Sequence, residues 1–258
     1  MNENVDRRIL GAFICVDAIT GSSVVPAVPV TPAPQWTVRP NHSGAYVIFD
    51  GPGFEAQTDE FLVSGTWPPS AQFEVSLQDP SLYYLPRRAQ VSAPLAVPTI
   101  PPIPTAANVF VAQQVKLYPS PATPYGPNWA TIHASVTKSG SSPAQGLPWA
   151  VVRVVQQSNN AVLATGVTAP NGEALLAVMG LTVTANTGSG GSVTVSTVDA
   201  TVTAYFAPSN LTQPSGWIPN PDDTLNNLTN TSLVTSSPPQ TVQLSSGLET
   251  SMSFAITV

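Results

Sequence analysis

Thr197-Val198-Asp199-Ala200-Thr201-Val202-Thr203-Ala204-Tyr205-Phe206 alternates apolar and polar residues without a break. Successive side chains of a strand point to opposite faces. Val198, Ala200, Val202, Ala204 and Phe206 therefore form a dry row, and Thr197, Asp199, Thr201, Thr203 and Tyr205 a wet one. A helix would scatter both rows around its circumference, and a register slip of one residue would turn the core side chains to solvent. The same period sets Phe73, Val75 and Leu77 against Glu74, Ser76 and Gln78, and Met252, Phe254, Ile256 and Val258 against Ser251, Ser253, Ala255 and Thr257. No stretch has helical periodicity, and Gly, Pro and Asn interrupt the pattern at roughly the spacing of short strands and turns. The expected fold class is all-β, with antiparallel sheets that each have one dry face and a C-terminal segment tied into a sheet.

The composition suits this. The chain has 258 residues, 28 of them Pro and 17 Gly, with 42% hydrophobic and only 9% charged residues, so a packed core is expected and disorder through charge excess is not. Eight basic and fourteen acidic side chains leave a net charge of -6. No Lys or Arg follows Arg153, whereas Glu173, Asp199, Asp222, Asp223 and Glu249 do, so residues 154–258 carry -5. Such a surface repels phosphate, so nucleic acid is not an expected partner. The longest apolar run, Ile9 to Val16, is far short of a spanning helix, and no membrane insertion is expected. The N-terminal residues lack a small-residue cleavage site and do not read as a signal peptide. A single cysteine, Cys15, excludes an internal disulfide framework and Cys-cluster zinc sites; it reads as a small buried hydrophobe.

Organisation follows from proline. Between Pro94 and Thr105 the spaced prolines fix φ and delete ladder donors, which predicts an extended spacer. The expected domains are 1–94, a linker at 95–107, and 108–258 with a long loop at 207–239. That loop mixes Pro, Asn, Ser and Thr with Leu211, Trp217, Ile218, Leu225 and Leu228, a composition suited to a contact surface. The two halves also share an order of strand, turn and strand. Leu10 to Asp17, Thr20-Gly21, Pro29-Val30, Asn41-His42-Ser43-Gly44 and Ala45 to Asp50 parallel Ala130 to Thr137, Ser139-Gly140, Leu147-Pro148, Asn171-Gly172 and Glu173 to Met179.

That succession resembles the carboxypeptidase-regulatory-like, transthyretin-like β-sandwich family. The opening stands here as Val16-Asp17-Ala18-Ile19-Thr20-Gly21. The turns into the following strands stand as Asn41-His42-Ser43-Gly44-Ala45-Tyr46 and Thr168-Ala169-Pro170-Asn171-Gly172-Glu173-Ala174. His42 occupies the place where the family usually has Asp. Val115-Lys116-Leu117-Tyr118-Pro119-Ser120-Pro121 looks like the lead-in of such domains encoded beside phage-tail-like contractile particles. The resemblance implies two immunoglobulin-/transthyretin-like antiparallel β-sandwiches and a structural or adhesive role, and it carries none of the zinc ligands of the peptidases.

The chain offers little catalytic chemistry. His42 and His133 are its two histidines, neither with a His or carboxylate two to four residues on, so no local metal site is encoded. There is no Gly-x-Ser-x-Gly elbow. Asp222-Asp223 reads as a turn cap, with a weak calcium site as the alternative. Gly188-Ser189-Gly190-Gly191 lacks the Lys and helix of a phosphate cradle and reads as a hairpin tip or flexible loop. Neither cofactor nor enzymatic activity is expected.

The candidate interface residues are Trp67, Trp217 and Ile218 in apparent loops, with local packing as the alternative for the tryptophans, and Tyr83, Tyr84, Arg87 and Arg88 in the one basic-aromatic cluster, the arginines read either as partners for an acidic face or as a solvated end-of-strand pair. The expected function is a structural component of a phage-tail-like contractile injection particle, assembled in the cytoplasm. It would dock on tail, sheath or cap proteins and self-associate in a ring. The alternative is a surface-glycan-binding or adhesion module using Trp67 and Trp217.

Overall fold

The computed structural model describes residues 9–54, 71–93, 112–181, 183–185, 193–195, 197–214 and 216–258. The proposed linker at 95–107, Trp67 and the tip 188–191 lie outside them. Among the described residues the regular secondary structure is almost wholly strand, in several open sheets, and the chain divides into two compact units.

The first unit holds β1 (Gly11–Asp17), β2 (Val30–Pro32), β3 (Thr37–Pro40), β4 (Ala45–Asp50), β5 (Ala71–Leu77), β6 (Arg87–Ala93) and most of β7 (Gln113–Leu117). One sheet runs β3-β4-β1-β7 and another β2-β5-β6. Phe73, Val75 and Leu77 are buried and the polar residues between them are not, as the alternation requires. Phe13 stacks on Tyr46 with ring centroids 4.8 Å apart, and Trp36 on Phe73 at 4.0 Å.

The second unit begins with β7's last residue, Leu117, and it also takes in the earlier segments Ala18–Gly21 and Ser81–Leu85. Gln113 to Lys116 belong to the first unit, where β7 extends the sheet of β1. The remaining strands are β8 (Ala130–Lys138), β9 (Val151–Gln156), β10 (Val162–Val167), β11 (Glu173–Val178), β12 (Val183–Ala185), β13 (Val193–Val195), β14 (Thr197–Phe206), β15 (Thr235–Ser236), β16 (Gln240–Ser245) and β17 (Glu249–Ile256). One sheet runs β11-β8-β17. A second runs β10-β9-β14, with β15 and β16 both on the far side of β14, and β12 pairs with β13 as a hairpin. Ala200, Val202, Ala204 and Phe206 meet Ile132, Ala134, Val136, Val152, Leu176 and Phe254 in one core. The alternation read at Thr197 to Phe206 is thus the inner face of β14.

The C-terminal strand departs from the antiparallel expectation. β17 lies parallel to β8, from Glu249↔Thr131 to Ile256↔Lys138, with Met252, Phe254 and Ile256 buried. The segment 207–239, expected as a long loop, contains a short 3-10 turn at Pro208–Thr212, the helix α1 (Pro221–Leu225) and β15.

The internal parallel between the halves extends to individual hydrogen bonds. Asp17 N–H donates to Ser22 and Val24 N–H to Cys15; in the second unit Lys138 N–H donates to Gln145 and Leu147 N–H to Val136. Val16 bridges Ser23 as Thr137 bridges Gly146. Before the next strand, Asn41 N–H donates to Ala45 and Gly44 N–H to Asn41, matched by Ala169 to Glu173 and Gly172 to Ala169. Gly44 and Gly172 sit at φ of +81° and +84°, a conformation that side-chain-bearing residues rarely adopt. The Asn41 side chain completes its turn by accepting from the N–H groups of Ser43 and Ala45 at 3.0 and 2.9 Å. In the second unit the buried Thr168 hydroxyl ties the neighbouring loop together, donating to the Leu147 carbonyl at 2.7 Å and accepting from Ala150 N–H at 2.8 Å.

Cys15 is buried beside Tyr46, as a small core hydrophobe should be. Burial pushes its thiol from 9.0 up to about 12, against smaller opposing effects of the Tyr46 hydroxyl and the Arg87 charge. The folded state thus keeps a proton that the unfolded chain releases, so the stability of the first unit is unaffected below pH 9 and falls as pH rises from there towards 12. Tyr46 is also raised by burial, and its titration acts in the same direction. Denaturation midpoints of the first unit are expected to drop between pH 8 and pH 11, with Cys15→Ala showing a shallower drop; a flat profile would contradict the burial of this pair.

Candidate docking surface

The segment Ser81–Leu85 is anchored through its backbone. Leu85 N–H donates to Tyr118 at 2.9 Å and Ser120 N–H to Tyr83 at 2.8 Å, while the Thr123 hydroxyl donates to the same Tyr83 carbonyl. Leu85 and Tyr118 are buried in a small cluster with Val151, Val167 and Ala169, onto which Trp149 and Leu225 pack. Pinned at this base, Leu82 is held at φ +61° with 71% of its surface exposed, and Tyr83 is 51% exposed. A non-glycine residue in the left-handed region persists only where its surroundings over-determine it. The result is an apolar tip presented to solvent on a fixed backbone. Tyr84 is half-buried at the bridge to Pro119.

The excursion 207–239 supplies the second group of candidates. Asn220 caps α1, its side chain accepting from Asp222 N–H at 3.2 Å and donating to the Asp223 carboxylate at 3.1 Å. Asp222 and Asp223 thus sit in the first helical turn, where the positive end of the backbone dipole favours them. Leu225 turns inward onto the cluster beneath Leu85. Trp217 and Ile218 are half-buried, whereas Leu211 and Leu233 are exposed. Trp217 and Ile218 therefore contribute to local packing as well as surface, and the freely presented apolar residues of this excursion are others.

The two arginines have separate fates. Arg87 is 1% exposed, the largest fully buried side chain among the described residues. Its Nε donates to the Arg88 carbonyl at 3.1 Å and its Nη1 to the Lys116 carbonyl at 2.5 Å. The expectation that Arg87 meets an acidic face of another chain is corrected: it lies on the inward row of β6, with Ala89, Val91 and Ala93. Arg88, one residue on, points the other way and pairs with Glu74 across β5 at 3.1 Å.

A cluster that the sequence reading missed lies on the outer face of the β11-β8-β17 sheet. Glu249 accepts from the Tyr125 hydroxyl at 3.0 Å through Oε2 and approaches His133 Nε2 at 3.3 Å through Oε1, while the Tyr125 ring meets His133 edge-on. Local spacing could not reveal it, because the parallel register of β17 on β8 carries Glu249 to the level of Thr131. Among the described residues no group of three His, Cys, Asp or Glu side chains is placed to hold a metal ion. His42 is exposed in its turn. An open depression of about 380 Å³ beside β9 and β14 is lined by Gln156, Gln157, Ser158, Thr197, Val198 and Asp199. The Asp199 carboxylate there already accepts from Gln243 at 3.0 Å. No helix among the described residues is long and apolar enough to cross a membrane.

No protein-family model matches this chain, and no curated protein matches it. Among solved structures, a leucine-rich repeat protein from Bacteroides thetaiotaomicron shows 12% identity and a TM-score of 0.18 over 96% of this chain. The chain covers 26% of that protein's length, and a likeness this slight carries no argument about fold or function.

Proposed function

We propose that the protein is a non-enzymatic structural component of a phage-tail-like contractile injection particle. On this reading each of its two units is an immunoglobulin-/transthyretin-like, mainly antiparallel β-sandwich, and the Pro-rich segment at 95–107 runs as an extended spacer. They dock on tail, sheath or cap proteins through their faces and loops. The observation that carries the reading is the pinned tip at Leu82 and Tyr83, exposed at 71% and 51% on a backbone held by Tyr118 and Ser120. A loop already fixed in its bound shape loses little conformational freedom on docking, and an aromatic side chain such as Tyr83 supplies contact area at low entropic cost. The low charge of the chain, 9% charged residues, favours contacts made by shape and apolar area over long-range attraction. The repeated architecture of the two units further supports the reading, since it offers two stiff surfaces of one design.

The tip makes the reading testable. Leu82→Asp combined with Tyr83→Ala alters exposed side chains only, so the melting temperature is expected to stay within a few degrees of wild type. Pull-down of tail, sheath or cap proteins from particle-producing cells is expected to fall by at least tenfold, the weight of one good interface residue. Undiminished capture by the double variant would remove the tip from the interface and with it the support for this reading.

A further inference from the structure

Strand β17 uses one of its two backbone edges. The carbonyls of Leu248 and Ile256 accept from Thr131 and Ser139 of the β8 side. In a strand, backbone groups of successive residues point to opposite sides, so the even-numbered residues of β17 face β8 while Ser251, Ser253 and Ala255 turn their N–H and C=O groups outward. The Ser253 carbonyl indeed meets a side chain from that side, the Gln240 amide at 2.7 Å. Among the described residues no strand pairs with this outer edge.

Sheet edges of folded proteins are ordinarily blunted by charge, proline, a bulge or shortness. Several other edges among the described residues follow the rule. β3 ends in Arg39-Pro40, β2 has three residues and ends in Pro32, β6 opens on Arg87-Arg88, and β10 carries a register shift between Val162 and Ala164. β17 carries one charge, Glu249 at its first residue, and nothing beyond it. Residues 250–258 contain no charge, proline or glycine, and the register with β8 is unbroken. Outward backbone groups of this kind are satisfied by another extended, uncharged segment, and residues 250–256 form such a segment.

We propose that β17 pairs antiparallel with β17 of a second copy of this chain, about a two-fold axis at Ser253. In that register Ser251 faces Ala255 and Glu249 faces Thr257 of the second copy, so no two charged side chains face each other. The two Glu249 carboxylates end roughly 27 Å apart at ~3.4 Å per residue, well beyond the screening length of about 10 Å. A register centred on Ser251 would halve that distance and leave the end of the strand unpaired. The contact is isologous and closes on itself. The Gln240 amide occupies the Ser253 carbonyl in the single chain and swings aside on pairing, which makes the contact weak and reversible. The proposal is independent of the particle reading, because it requires only this chain.

The test uses the full chain alone. Sedimentation equilibrium up to about 1 mM, the range of weak dissociation constants, is expected to show the mass rising towards that of a dimer. The amides of Ser251, Ser253 and Ala255 are expected to slow in hydrogen exchange over the same range, while those of Thr250, Met252 and Phe254 are protected throughout. Ser253→Pro removes an outward donor at an edge where proline is tolerated, and Ala255→Lys restores a blunting charge. Each is expected to weaken dimerisation at least tenfold, and Gln240→Ala to strengthen it several-fold. A chain that stays monomeric with its outward amides exchanging freely would overturn the proposal. A dimer indifferent to both blunting variants would also overturn it.

Discussion

Gly172→Ala is expected to destabilise the second unit by roughly 2–5 kcal/mol, a large fraction of the stability of an ordinary domain. A Cβ at this position would lie 2.5 Å from the Val136 carbonyl oxygen, 2.7 Å from Gly146 Cα and 2.9 Å from Leu147 N, all backbone atoms that cannot swing aside. The left-handed backbone, at φ +84°, adds about 1–2 kcal/mol to an overpacking cost of about 1–3 kcal/mol. Gly140→Ala supplies the control. Its φ is +73°, but nothing lies within 4 Å of the added atom, so only the conformational cost of about 1–2 kcal/mol should appear. Urea denaturation followed by the tryptophans of the second unit measures both, and equal losses at the two positions would contradict the close approach of the loops at Gly146 and Gly172.

Arg87→Ala is expected to cost the first unit roughly 3–5 kcal/mol, because it leaves a cavity where the largest buried side chain stood and orphans the Lys116 carbonyl. Arg88→Ala breaks the partly exposed pair with Glu74 and should cost less than ~1 kcal/mol. A thermal melt comparing the two variants decides between burial and surface roles for this dipeptide. If both melted like wild type, Arg87 would not be a core residue.

The same dipeptide shows where sequence reading runs out. Alternation was legible wherever a strand had one wet face, as at Thr197 to Phe206, and the turns at Gly44 and Gly172 were legible because positive φ selects glycine. Tyr83 to Arg88 carries no such signal. Exposed Tyr83 and buried Arg87 differ only in which contacts follow, and a guanidinium is buried when backbone carbonyls are aimed at it, an arrangement made by residues far along the chain. The partner of β17 was hidden for the same reason. Its buried face was evident from Met252, Phe254 and Ile256, but the neighbour and direction of a strand depend on sheet order, and so did the meeting of His133 with Glu249. That β7 bonds to β1 is likewise recorded in no local composition.

Density-gradient sedimentation of lysate from cells making the protein at its native level addresses the proposed role most directly. The account predicts that the chain travels with megadalton particles carrying tail, sheath or cap proteins, and that Leu82→Asp with Tyr83→Ala returns it to the top of the gradient as a folded 26.8 kDa species or its dimer. Wild-type protein found wholly at the top of the gradient, in cells whose particles are intact and complete without it, would contradict the account.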